Sequence, residues 1–179
     1  TLNRPEALNA LSMDIRNGLL NAMDRYADDS NVRCIVITGA GRAFCSGGDV
    51  KGMGERAQRG YEARARGIQF SNSIPMAMRK HPKVIIAMVN GVAAGAGMSM
   101  ALAADLRVGG TSARFTTAFL KIGLSGDWGG TWTLTRLVGT AKARELYLMP
   151  DMVNAEEALR LGIINRMAPD EQLRATTME

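Results

Sequence analysis

Apolar positions along the chain follow two different spacings. Ile15, Leu19, Met23 and Tyr26 recur at helical intervals behind Ser12, a good N-cap, and predict a helix over residues 12–29. Short β-branched runs lack that period. Residues 33–38 (RCIVIT), 84–89 (VIIAMV) and 105–108 (DLRV) read as strands, and 114–116 and 163–167 as two more. Residues 51–67 are basic and broken by Gly52, Gly54, Gly60 and Gly67, which predicts a loop or a poorly packed helix. Helix resumes over 67–79, with an interruption near Pro75. Residues 90–97 read as a turn leading into an apolar helix over 98–104. Further helices are expected at 131–138 and 141–149. Asn154 and Glu157 give a capping-box-like start to another that reaches Leu161, and a last one begins near Pro169. Strand, turn and helix alternate without an internal repeat, which indicates an α/β fold.

Composition narrows this little. A chain of 179 residues, 46% hydrophobic and 22% charged, suits a single domain over 1–179 that buries its own core. It starts at Thr1 without Met and ends without a capping signal, so both termini are expected to be incomplete. Cys34 and Cys45 have no paired-ligand spacing and fit free thiols in a reducing compartment. One histidine, His81, argues against a multi-histidine metal site and a histidine-centred triad. Without a long apolar run or a leader-like opening, a soluble cytoplasmic protein with no membrane partner is expected.

The formal net charge of +5 is uneven. Lys51, Arg56, Arg59, Arg64, Arg66, Arg79, Lys80 and Lys83 face only Glu55 and Glu62 in their stretch. Such a patch attracts polyanions, or is a solvated helix face. No interleaved aromatics or nucleic-acid motif accompany it, so nucleic acid is not the expected partner.

Three glycine-rich turns stand out: FCSGGD (44–49), NGVAAGAG (90–97) and GLSGDWGG (123–130). Small residues at a strand-to-helix turn leave backbone N–H groups pointing outward, one way to build an anion or oxyanion pocket. No dinucleotide fingerprint or P-loop is present. Asp127, beside Trp128 in the third turn, is either a turn and cap residue or a catalytic acid–base.

Four segments in order, LNRPEALNAL (2–11), CIVITGAGRAFCSGGDVKGM (34–53), PKVIIAMVNGVAAGAGMSMALAADLRV (82–108) and GLSGDWGGTWTLTRLVGTAKARELYL (123–148), resemble the crotonase superfamily of enoyl-CoA hydratases and isomerases. The resemblance implies a crotonase-like spiral of ββα turns, homotrimers or dimers of trimers, and acyl-CoA substrates. It implies no permanently bound cofactor, coenzyme A entering as part of the thioester. The oxyanion-hole amides fall on Gly48 and Ala96. Glu6, Ala7, Leu8, Ser46, Gly48, Asp49, Val50 and Lys51 fall on the coenzyme A surface.

The departures matter as much. The two glutamates that hydratases of this family use fall on Ser99 and Phe119, which leaves these as packing or substrate-pocket residues together with Trp128. Adding water to a conjugated double bond needs a base for the water and an acid for carbon. Asp127 resembles the acidic residue of the isomerase branches, where one carboxylate suffices for double-bond migration. The expectation is therefore enoyl-CoA isomerisation with Asp127 as the single acid–base. The alternatives are a hydratase, an acyl-CoA hydrolase or a dehalogenase relative using Asp127, and an RNA-binding or catalytically inactive acyl-CoA-binding protein.

Overall fold

The computed structural model describes residues 1–49, 54, 58 and 60–179. The first long helix, α1 (Met13–Ala27), starts where its cap predicts: Ser12 Oγ accepts from the Ile15 N–H at 3.3 Å. Leu19 and Met23 of its apolar stripe are buried. Four strands then build a parallel sheet in the order β1 (Cys34–Ile37), β3 (Val84–Val89), β5 (Leu106–Gly110), β8 (Arg166–Ala168). In β3 the side chains of Ile85, Ala87 and Val89 are buried, and the positions between them are more exposed.

A second sheet has the order β2 (Ala43–Cys45), β4 (Val92–Ala94), β6 (Arg114–Thr116), β7 (Val153–Asn154), with only the last pair antiparallel. The chain alternates between the sheets. β1, β3 and β5 each belong to the first, and the strand after each, β2, β4 or β6, belongs to the second. The result is the expected α/β spiral of ββα turns.

Three of these short strands were not expected from the sequence. β4 lies inside 90–97, read as a turn, β2 overlaps the start of the FCSGGD segment, and β7 falls where only the Asn154 cap was read. Three-residue strands between glycines show no periodicity, and only pairing with their parallel neighbours defines them. The last strand also differs: Ile163 and Ile164 are buried in a non-strand segment, and pairing begins at Arg166.

The helix α2 (Tyr61–Lys80) runs without interruption through Gly67 and Pro75. Of the loop and the poorly packed helix expected for 51–67, residues 61–67 form the helix; the rest of that basic stretch falls mainly outside the described residues. Ser71, Ile74, Pro75 and Met78 are buried, so tertiary packing holds the helix across a residue that lacks an N–H. The helix α3 (Ala96–Ala103) is buried at every position, as an apolar helix must be. The helices α4 (Gly130–Val138) and α5 (Thr140–Leu148) follow, then α6 (Ala155–Arg160), capped by Asn154 Oδ1 accepting from the Glu157 N–H at 2.9 Å. The last helix, α7 (Leu173–Met178), follows a 3-10 turn at Asp170–Gln172.

Candidate active site

Parallel pairing of β2 with β4 brings two glycine-rich turns together, because both follow the same ends of adjacent strands. A Cβ on Gly47 would stand 2.7 Å from the Ala94 carbonyl oxygen and 3.4 Å from the Ala96 nitrogen. Gly48 and Ala96 therefore sit on touching segments. Ala96 is the first residue of α3, and the opening N–H groups of a helix have no i−4 carbonyl inside it. A Cβ on Gly97 would collide with the Cys45 carbonyl, so α3 starts hard against the end of β2.

Residues 4–9 pack beside the first turn. The fully buried Asn9 donates from Nδ2 to the carbonyls of Ala40 (2.9 Å) and Ala43 (2.8 Å), while its Oδ1 accepts from the Arg4 N–H at 2.9 Å. The Ser46 N–H donates to Leu8 O at 2.9 Å, and the Leu11 N–H to Gly47 O at 2.8 Å. Arg4 Nη1 lies 2.7 Å from Asp49 Oδ2, and its Nε 3.7 Å from Glu6. With Ser46 Oγ donating to Ala7 O at 3.4 Å and Leu11 bridging to Gly48, these contacts gather Glu6, Ala7, Leu8, Ser46, Gly48 and Asp49 into one surface. Val50 and Lys51 lie outside the described residues. Arg4 and Asn9 gave no signal in the sequence, because only the folded chain puts them across from β2.

The Asp127 loop enters from the other side. A Cβ on Gly130 would collide with Ser99 Oγ, and Ser99 lies three residues after Ala96 on α3. Phe119 links the two halves: its ring is 3.9 Å from a Cβ built on Gly95 and 3.7 Å from one built on Gly126. A single phenyl ring thus separates the turn before Ala96 from the loop that carries Asp127. Ser99 and Trp128 are each 1% exposed and Phe119 is 6% exposed, so all three pack into the interior of the described chain.

Asp127 reaches the surface of the described chain, yet crowding by protein atoms raises its carboxyl pKa through desolvation, with Arg16 opposing that shift. Arg16 Nε donates to Leu11 O at 3.0 Å and Nη1 to Ser71 Oγ at 2.7 Å. Asn72, the next residue on α2, accepts the Trp128 N–H at 3.0 Å. Tyr147 of α5 is the other neighbour missed in the sequence. Its hydroxyl and Ser99 Oγ both crowd Gly130, where an added Cβ would lie 2.7 Å from the one and collide with the other, and the Asp127 charge disfavours its ionisation.

Other features of the molecule carry less chemistry. Burial pushes the Cys45 thiol up to about 12, and its Sγ lies 3.1 Å from the Asn9 carbonyl, so this cysteine is structural. Among the described residues no group of three His, Cys, Asp or Glu side chains is placed to hold a metal ion. A cavity of about 210 Å³ is lined by Lys142, Glu145, Met149, Asp151 and Leu161, among others, and includes none of the residues above. Its Lys142–Glu145 pair at 2.6 Å is an exposed ion pair along one helix face. No helix among the described residues is long and apolar enough to cross a membrane.

Known proteins sharing this architecture are numerous. The family model for Enoyl-CoA hydratase/isomerase matches residues 1–179. The 1,2-epoxyphenylacetyl-CoA isomerase of Escherichia coli K12 is 39% identical over 184 residues, covering 100% of this chain and 69% of that protein. A protein of Rhodobacter capsulatus named "probable enoyl-CoA hydratase" is 43% identical over 170 residues, covering 95% of this chain and 64% of its own length. The crystal structure of an enoyl-CoA hydratase from Polaromonas sp. JS666 superposes with a TM-score of 0.93 at 33% identity, covering 99% of this chain and 69% of that one. The chain therefore spans about two thirds of the length of these relatives.

Proposed function

The chain belongs to the enoyl-CoA hydratase/isomerase family, and within it we propose that it shifts the double bond of an enoyl-CoA thioester, with Asp127 as the single acid and base. One observation carries this reading. The loop bearing a desolvated carboxyl, Asp127, packs directly on Ser99 and Phe119, the two positions where a second carboxylate would be needed for water addition.

In this reading the Asp127 carboxylate removes a proton from the α-carbon of a 3-enoyl-CoA. The electron pair passes into the thioester carbonyl and gives a dienolate, whose oxygen accepts hydrogen bonds from the Gly48 and Ala96 N–H groups. Asp127 then returns the proton at the γ-carbon, and the double bond ends conjugated with the thioester. One oxyanion donor lowers such a barrier by about 2.7–4 kcal/mol. A raised carboxyl pKa suits a group that must both take and give the proton. Glu6, Ala7, Leu8, Ser46, Gly48, Asp49, Val50 and Lys51 form the coenzyme A surface, and Phe119, Trp128 and Ser99 back the acyl pocket. We take residues 1–179 as one domain that assembles as a homotrimer or a dimer of trimers, a stoichiometry that sedimentation equilibrium measures.

The relatives' names support a second reading, hydration, in which Asp127 works through a water molecule. Separate incubation with 3-enoyl-CoA and 2-enoyl-CoA distinguishes the two. The isomerase converts the first to the second. Formation of 3-hydroxyacyl-CoA from the second, with the first untouched, would defeat isomerisation. Asp127→Asn is expected to lower kcat by about 10²–10⁴-fold while acyl-CoA binding persists.

A further inference from the structure

Tyr147 lies outside every glycine-rich turn, yet it touches both ends of the one that carries Asp127. A Cβ on Gly126 would come 3.0 Å from Tyr147 Cε1, and a Cβ on Gly130 would come 2.7 Å from Tyr147 Oη. The ring is stacked on Phe119, with centroids 6.3 Å apart and planes at 12°. The hydroxyl lies beside Ser99, whose Oγ crowds the same Gly130. One side chain thus braces residues 126–130 from their first glycine to their last.

We propose that Tyr147 is a positioning residue, whose ring and hydroxyl hold the 126–130 loop so that Asp127 points at the carbon atoms between which it moves a proton. This rests on the reading of Asp127 as the acid–base. The loop needs such a brace because one of its residues is held in a costly conformation. Trp128, a bulky residue, has φ +55°, whereas Gly126 and Gly129 take φ +115° and +67° without that cost. Trp128 is anchored by its burial and by Asn72, and Tyr147 adds a contact at each glycine end, beside Thr131 and Phe119 at Gly126 and beside Ser99 at Gly130. Burial pushes the phenol up to about 12, so it stays a neutral hydroxyl while Asp127 titrates. A hydroxyl that stays neutral packs against Gly130 in both protonation states of the carboxyl.

Two variants separate the ring from the hydroxyl. Tyr147→Phe keeps the stack on Phe119 and loses the hydroxyl that packs at Gly130; Tyr147→Leu loses both. Two measurements are made on each: kcat and KM with 3-enoyl-CoA, and the titration midpoint of the Asp127 carboxyl by carbon-13 NMR of Asp-labelled protein, assigned through Asp127→Asn. For Tyr147→Phe we expect kcat to fall by about 3–10-fold with KM within about twofold, because a small misalignment costs rate before it costs binding. The Asp127 midpoint should move upward, since a polar group has left its surroundings. Tyr147→Leu should lower kcat by about 30-fold or more; if it does not fold, Tyr147→Phe alone decides. A Tyr147→Phe protein with wild-type kcat and a wild-type Asp127 midpoint overturns the proposal. If the midpoint moves while Asp127→Asn still turns over at the wild-type rate, the brace stands and the isomerase reading fails instead.

Discussion

Gly47 and Ala94 meet so closely that a side chain at residue 47 has nowhere to go. Its Cβ would lie 2.7 Å from the Ala94 carbonyl oxygen, a backbone atom that cannot swing aside, and its φ is +97°. The contact joins the segments that carry the Gly48 and Ala96 amides. Gly47→Ala should therefore cost at least about 2 kcal/mol in urea unfolding, from overpacking and an unfavourable dihedral together. It should also lower kcat by about a hundredfold if the turns part enough to lose one oxyanion donor. Wild-type kcat in a Gly47→Ala protein would separate this contact from the chemistry.

Desolvation raises the Asp127 pKa, while Arg16 on α1 pulls it down and Tyr147 on α5 faces it as a neutral phenol. The proposed reaction needs Asp127 ionised as its base, so kcat/KM should rise with pH through a midpoint above the ordinary carboxylate value. Arg16→Gln removes the opposing charge and should move that acidic limb to still higher pH. The pH profile of kcat/KM for the two proteins checks both statements.

Stability depends on the same group with the opposite sign. The native state holds the Asp127 proton more tightly than the unfolded chain, so between the unfolded and the folded pKa the native state carries more protons. Stability contributed by this residue therefore falls as pH rises through that window. Asp127→Asn abolishes the titration and should be more stable than wild type above the window, with the difference vanishing below it. Thermal melts of the two proteins across pH measure this.

Trp128 combines complete burial with a left-handed backbone, and Asn72 holds its N–H. Trp128→Ala should destabilise the protein by about 3–5 kcal/mol through the cavity it leaves. Asn72→Ala should cost only about 1 kcal/mol, yet lower kcat by about 10–100-fold, because it releases the backbone next to Asp127. Denaturant curves and initial rates on both variants give the comparison.

Arg107 on β5 is 4% exposed and donates to the carbonyls of Ile163 (2.8 Å) and Ala104 (2.7 Å). Burial lowers its pKa, with the Asp105 charge opposing. Arg107→Leu leaves both carbonyls without this donor and should cost about 2–3 kcal/mol in urea unfolding, with kcat little changed.

The sequence by itself determined several of the elements and the family. The stripe of Ile15, Leu19 and Met23, the Ser12 and Asn154 caps and the run 84–89 are local signals, and each formed the element it predicts. The ordered motifs were enough to identify the crotonase spiral, and the absence of carboxylates at Ser99 and Phe119 is legible without coordinates. Tertiary structure alone decided the rest. Strands β2 and β4 are too short to show a period, and they exist because parallel pairing satisfies their backbones. Helix α2 passes through Pro75 because its burial outweighs the lost hydrogen bond. Arg16, Asn72 and Tyr147 come from three separate helices and converge on the Asp127 loop only after folding. Local pattern records what a residue prefers, whereas a site is made of residues distant in sequence, and their distances are set by packing.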